Sequence, residues 1–259
     1  MRKALFLRCT SLLAVALGFS AGSARAEKWN WDVTPYLWAS GVHADAEVNG
    51  DPAFGADVSF KDIVDKVDIA GMLHFEGRRS KAGFFTDLIF ISLTDEQTLP
   101  SNPPLPGGTQ VEADVDLGLY EAGGFYRVQG DKSGLDVLFG VRLTDLKSDL
   151  TFDIPAPISS TAETSGSDSY TDFILGLRYS APLGKRWYFA VRGDAGLGET
   201  ESAWNGVVSF GFMCDKQGKY HLRMGYRYFK TELDSENGNV DVETDMTLLG
   251  PYIGFGFVF

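Results

Sequence analysis

The sequence predicts an all-β fold: a closed antiparallel transmembrane β-barrel, with ten strands expected and eight or twelve as alternative counts. Three observations predict it. First, the chain ends in a strand whose alternate residues are Pro251, Ile253, Phe255, Phe257 and Phe259, with Gly250, Gly254, Gly256 and the larger Tyr252 and Val258 on the other parity. Second, segments of strand character are joined by connections that alternate in length. Third, charged residues within those segments keep to one parity. Successive side chains of a strand point to opposite faces, so one face is greasy and the other polar. A soluble barrel needs an apolar inside and a polar outside. Here the charged parity must face a lumen, because a charge on the lipid face near the midplane costs about 2–4 kcal/mol.

The amino-terminal end is read as an export signal. Arg2 and Lys3 start it, Leu12 to Phe19 are apolar but too few to span a bilayer, and Ala24-Arg25-Ala26 is an A-x-A cleavage site. Residues 1–26 are therefore set aside, leaving a barrel domain over 27–259. Their removal takes away Arg2, Lys3, Arg8 and Arg25 and no acid, so the net charge moves from −12 to −16. Nucleic acid is excluded as a partner, since phosphate binding needs a basic footprint. Cys214 is the one cysteine left, which excludes an intrachain disulfide and a thiolate zinc cluster. No apolar run approaches the roughly 20 residues of a membrane helix. Aromatic residues make up 13% of the chain and glycines number 30, which suits a barrel with aromatic girdles.

The strand candidates lie near 29–41, 67–79, 82–94, 111–128, 134–149, 169–180, 186–199, 203–214, 218–231 and 245–259. Each is long enough for a tilted membrane strand of roughly 9–11 residues. Short turns at 79–81, 130–133, 181–185 and 215–218 carry Gly, Pro, Asp and Ser. Longer connections lie near 42–66, 95–110, 150–168 and 232–244, and only the link at 199–202 breaks the alternation. Short periplasmic turns and long outer loops are the asymmetry of these barrels. An even count returns the end of the chain to the periplasmic side. Within 42–66, the apolar spacing of Phe60, Ile63, Val64 and Val67 is helical, and Ser59 with Asp62 reads as a capping box. A short helix at the barrel mouth is one reading; an early start to the next strand is the other.

The inward parity carries Glu76, Arg78, Asp87, Arg142, Asp172, Arg178, Arg192, Asp194, Arg223 and Arg227. Tyr36, Trp38, Tyr126 and Tyr188 are expected to add bulk there. Two readings follow. One is a charge-selective channel. The other is an ion-pair network that fills the barrel in place of a hydrophobic core, and it carries more weight because small barrels are just wide enough for side chains to fill. Glu121 falls on the parity of Leu117 and Leu119, so a bulge between Gly118 and Gly123 is expected to turn it inward.

Catalytic chemistry finds little support. His43, His74 and His221 fall at different strand heights, so no pair is expected to share a metal. His74 with Glu76 and Asp87 lacks a positioned nucleophile. No catalytic, cofactor or metal residue is assigned. The acidic connections, with Asp45, Glu47 and Asp51 in one and Glu232, Asp234 and Glu236 in another, read as a solvated outer face. Asp234-Ser235-Glu236-Asn237-Gly238 is only a loose echo of a calcium loop.

The stretch Trp31-Asp32-Val33-Thr34-Pro35-Tyr36-Leu37-Trp38 resembles the opening W-x-x-T-P-Y-x-W strand of a family of uncharacterised proteobacterial outer-membrane proteins. Val58-Ser59-Phe60-Lys61-Asp62-Ile63 and Phe75-Glu76-Gly77-Arg78-Arg79 are similar to that family's next two blocks. The ending resembles the closing strand of bacterial outer-membrane proteins, in which a terminal Phe, here Phe259, serves the assembly machinery. The resemblance implies a Gram-negative outer-membrane barrel and carries over no catalytic residue. The partners implied are outer-membrane lipid and lipopolysaccharide and, through the C-terminal strand, the barrel-assembly machinery, for a monomer. The first functional expectation is a narrow pore or passive transporter for small solutes. The second is a closed barrel with a structural or adhesive envelope role. A barrel enzyme comes third.

Overall fold

A computed structural model of the chain describes residues 28–48, 51–64, 66–98, 108–130, 133–155, 159–237 and 240–259. The expected signal peptide, 1–26, lies outside the described residues. Twelve strands and one short helix follow in order: β1 (Asn30–Trp38), β2 (Gly41–Val48), β3 (Asp51–Val58), α1 (Phe60–Val64), β4 (Val67–Arg79), β5 (Ala82–Thr98), β6 (Gln110–Gln129), β7 (Gly134–Ile154), β8 (Ser160–Leu183), β9 (Trp187–Gly198), β10 (Ser202–Met213), β11 (Tyr220–Asn237) and β12 (Val240–Val258). All neighbours are antiparallel. Ten strands, β1 and β4 to β12, form the barrel, and pairing of β1 with β12 closes it. At this seam Trp31 and Phe259 exchange both backbone hydrogen bonds at 3.0 Å.

The first long connection holds a hairpin. β2 pairs with the outer half of β12, Val242–Leu249, while β1 pairs with the inner half, Tyr252–Val258. The chain bends at Ala39-Ser40 between two stretches of the same neighbour, and Ala39 donates to the Pro251 carbonyl at 2.8 Å. β3 folds back on β2 outside the ring. The sheet therefore has twelve strands although the ring has ten. Ser59 precedes α1, and its hydroxyl donates to the Asp62 carboxylate at 2.6 Å, a side-chain pairing in place of the reciprocal backbone bonds of the expected capping box.

Most of the expected outer loops are strand instead. β7 and β8 pair without a break from Gly134 and Ser180 to Ile154 and Ser160. At about 3.3 Å per residue, the 24 residues of β8 extend far past the roughly 9–11 needed to cross a bilayer. The outer part of β8, Thr161 to Ser169, is exposed and polar on both faces. Apolar alternation is absent there, so only backbone pairing marks the strand.

Turns at the opposite end are tight. Gly130 opens the β6–β7 turn at φ 79°, a left-handed conformation that suits glycine. In the β10–β11 turn, Asp215 accepts from the backbone of Gln217 and of Tyr220, each at 3.0 Å. These hydrogen bonds, that from Tyr220 foremost, hold its carboxyl below the usual range.

Two expectations are corrected. The β5–β6 and β6–β7 registers run without a shift through Gly118–Gly123, so the bulge is absent. Glu121 still points inward, because the whole odd parity of β6 does, Leu117 and Leu119 included. Tyr126, expected inside, is on the opposite parity and half exposed on the outer wall.

Glycines on the inner wall make room for side chains. A Cβ at Gly211 would overlap the ring of Tyr188. Gly211→Ala is expected to destabilise the barrel by about 1–3 kcal/mol through overpacking. Denaturant unfolding in detergent micelles checks it; an unchanged midpoint would show that Tyr188 moves aside freely.

Candidate functional site

Facing β8 outward, Phe173, Leu175, Leu177 and Tyr179 are exposed, and Asp172, Ile174, Gly176 and Arg178 turn in. The same rule holds on β11, where Tyr220, Met224, Tyr226 and Tyr228 are outside and His221, Arg227 and Phe229 inside. At the short-turn end, outward aromatics meet across strands: Trp31 with Phe75 and Phe84, Trp187 with Phe212, and Tyr220 with Phe255 and Phe257. An apolar wall edged by rings around a charged interior suits lipid outside and inverts a soluble core. The chain is a transmembrane β-barrel of the outer-membrane type.

Inside, the charges form three connected groups. Nearest the short turns, Asp136 accepts from Arg127 at 2.7 Å, Arg78 at 2.8 Å and Arg178 at 3.0 Å. Arg178 also pairs with Glu76. Phe125 lies under Arg78 and Arg178, whose guanidinium carbons stand 4.3 and 4.7 Å from its ring centre. In the middle, Asp87 accepts from the Tyr36 hydroxyl at 2.6 Å and from Arg227 at 3.2 Å, and meets the His74 imidazole at 3.0 Å. Further out, Glu121 binds Arg142 and Arg192, each at 2.8 Å, and Arg227 at 3.2 Å. Asp194 accepts from Arg142, from Arg192 at 2.7 Å and from Asn205 at 2.8 Å. Each guanidinium offers a planar fork that can serve two carboxylates at once.

A greasy layer lies against this network. Trp38, Met72, Ile89, Leu119 and Phe229 form a buried cluster with Met246 and Leu248. Each of the first five stands two positions nearer the long-hairpin end than Tyr36, His74, Asp87, Glu121 and Arg227 respectively. The period of two thus stacks an apolar ring on a charged one. At the boundary Glu121 is 1% exposed and Arg142 is fully buried, and the Arg142 guanidinium stands 5.1 Å from the centre of the Phe229 ring.

Of the ten lumen charges read from the sequence, nine join these contacts or, for Arg223, lie beside them: its guanidinium meets the Tyr188 hydroxyl at 3.2 Å and Asp32 at 3.5 Å. Asp172 stands apart. It sits opposite Arg142 in the register but accepts from the Thr200 backbone at 3.2 Å and its hydroxyl at 2.9 Å. The sequence reading left out Asp136, Arg127 and Asp32. Asp136 shares the even parity of Arg142 on β7, and that signal could have found it. The histidines lie closer than strand position suggested: Thr34 is the cross-strand neighbour of His74, and its hydroxyl is 3.4 Å from the His221 imidazole. Among the described residues, the carboxylates Glu201, Asp234 and Glu243 come together on the exposed outer face.

No protein-family model matches the chain, and no curated protein does. Solved structures with a similar course of chain include the outer membrane protease OmpT from Escherichia coli, at 6% identity and TM-score 0.45, covering 89% of this chain and 96% of that one. The translocator domain of the autotransporter NalP from Neisseria meningitidis is similar at 11% identity and TM-score 0.40, covering 88% of each chain. Ail, the attachment invasion locus protein of Yersinia pestis, in complex with the heparin analogue sucrose octasulfate, is similar at 12% identity and TM-score 0.36. It covers 90% of this chain and 99% of that one. Likeness at this level concerns the fold and not the role.

Proposed function

We propose that this is a bacterial outer-membrane barrel with a plugged lumen, which serves the envelope through its strand-built outer face and not as a solute pore. The observation that carries the reading is the seal of Glu121 and Arg142 under the Trp38–Leu119–Phe229 layer. An open pore keeps its charges hydrated; these are removed from water and paired with each other. Paired strands continue past the bilayer in β5 to β8 and in β11, β12, β2 and β3, giving a hydrogen-bonded sheet above the membrane, which along outer β8 is exposed and polar. The N-terminal signal read from the sequence supports export, and the apolar wall supports insertion.

The refolded barrel is expected to be electrically silent in a planar bilayer, with insertion shown separately by protease protection. Stable, reproducible conductance steps would overturn the reading. Leu119→Ala combined with Phe229→Ala thins the apolar layer and is expected to raise leak.

A further inference from the structure

On the short-turn side of the Glu121–Arg142 seal, the lumen widens into a cavity of about 110 Å³. A single water needs roughly 10–15 Å³ of such space, so the cavity has room for a molecule of several heavy atoms. Four arginines line it, Arg178, Arg192, Arg223 and Arg227, against one carboxylate, Asp87.

These arginines differ in how far they are spent. Arg178 divides its three nitrogens between Glu76 and Asp136. Arg227 uses all of its own on Asn205, Tyr36, Asp87 and Glu121. Arg192 commits Nε and Nη2 to Asp194 and Glu121, leaving Nη1 without a partner among the described residues. Arg223 is the least compensated. Its hydrogen bonds go to the Tyr188 hydroxyl and to Asp32 at the 3.5 Å limit, and Nη1 again has no partner among the described residues. Both side chains keep some exposed surface, 13% for Arg192 and 22% for Arg223, whereas Glu121 and Arg142 keep none. Spare N–H groups on cations in a confined site call for an acceptor with negative charge. Because Tyr188 accepts from Arg223, its own hydroxyl proton remains to be donated.

We propose that this cavity is a binding site for a small oxyanion, a phosphate or carboxylate group, held by Arg223 with Arg192 and Tyr188 and entered from the short-turn end. The apolar layer blocks passage beyond it, so the site binds and does not conduct. It stands independently of what the outer face does.

The test is calorimetric titration of the full barrel in detergent micelles with inorganic phosphate and, separately, with acetate, at ionic strength fixed by chloride. Saturable one-to-one binding of at least one of them is expected, and the one that binds names the class. Arg223→Gln should weaken it at least tenfold and Tyr188→Phe about threefold, in protein whose heat-modifiable gel mobility shows a folded barrel. If Arg223→Gln does not fold, Tyr188→Phe decides. The proposal is overturned if neither anion binds saturably, or if binding is indifferent to the substitutions that fold.

Discussion

Glu121→Gln is expected to lower the stability of the barrel by about 3–5 kcal/mol, the range for breaking a buried ion pair from one side. The change is nearly isosteric, so the loss is electrostatic. Glu121 is the shared acceptor of Arg142, Arg192 and Arg227. Without its charge, Arg142 retains Asp194 alone, and Arg227 retains Asp87. Water cannot take over, because Arg142 is fully buried and faces Phe229. Reversible denaturant unfolding in lipid vesicles gives the number. Glu163→Gln, on the exposed outer part of β8, should change stability by less than about 0.5 kcal/mol. A loss under about 1 kcal/mol at Glu121 would mean that the network is hydrated and that its carboxylates are interchangeable.

Leu175→Arg should cost about 2–4 kcal/mol, and insertion yield should fall with it. Leu175 is two-thirds exposed on the outer wall, between Phe173 and Leu177 on its own strand and beside Phe139 and Ala195 across the ladders. Every one of those neighbours is apolar, so a guanidinium there finds neither water nor a carboxylate. Thr164→Arg, further along β8 where both faces are polar, should leave stability within about 0.5 kcal/mol. Folding yield into vesicles and the unfolding midpoint of the two variants compare lipid with water along a single strand. Equal effects at the two positions would remove the claim that the outer wall is a lipid face.

The contrast along β8 also explains what the sequence could reveal. From Asp172 to Tyr179, charge and grease alternate because lipid lies on one side and a charged lumen on the other, and that pressure leaves a period of two in the residues. From Thr161 to Ser169 both sides are wet, nothing selects by parity, and the strand reads as a loop. The β2–β3 hairpin is a different case: β2 does alternate, Val42, Ala44, Ala46 and Val48 against His43, Asp45 and Glu47, within a stretch expected to be a long connection. Glu121 failed differently: the parity rule assumed every inward residue to be polar, but the lumen contains an apolar layer, so Leu119 and Glu121 are neighbours on one face. Nine of the ten charges named from parity meet one another or lie beside those that do, since in a narrow lumen inward charges have nowhere else to go. Which carboxylate serves which arginine depends on strand tilt and stagger, and no local pattern encodes that.

The seam between Trp31 and Phe259 makes folding order a matter of chain position. β1 is bonded to β4 on one side, but its other edge waits for β12, the strand farthest from it in sequence. Until β12 arrives, that row of amides and carbonyls is unpaired, which lipid tolerates poorly. Contacts this distant along the chain are also the slowest to form. Only pairing with β12 removes the free edges of the sheet that runs from β1 through β4 to β11. The lipid-tolerant form of this chain is therefore the closed ring, completed by its last strand.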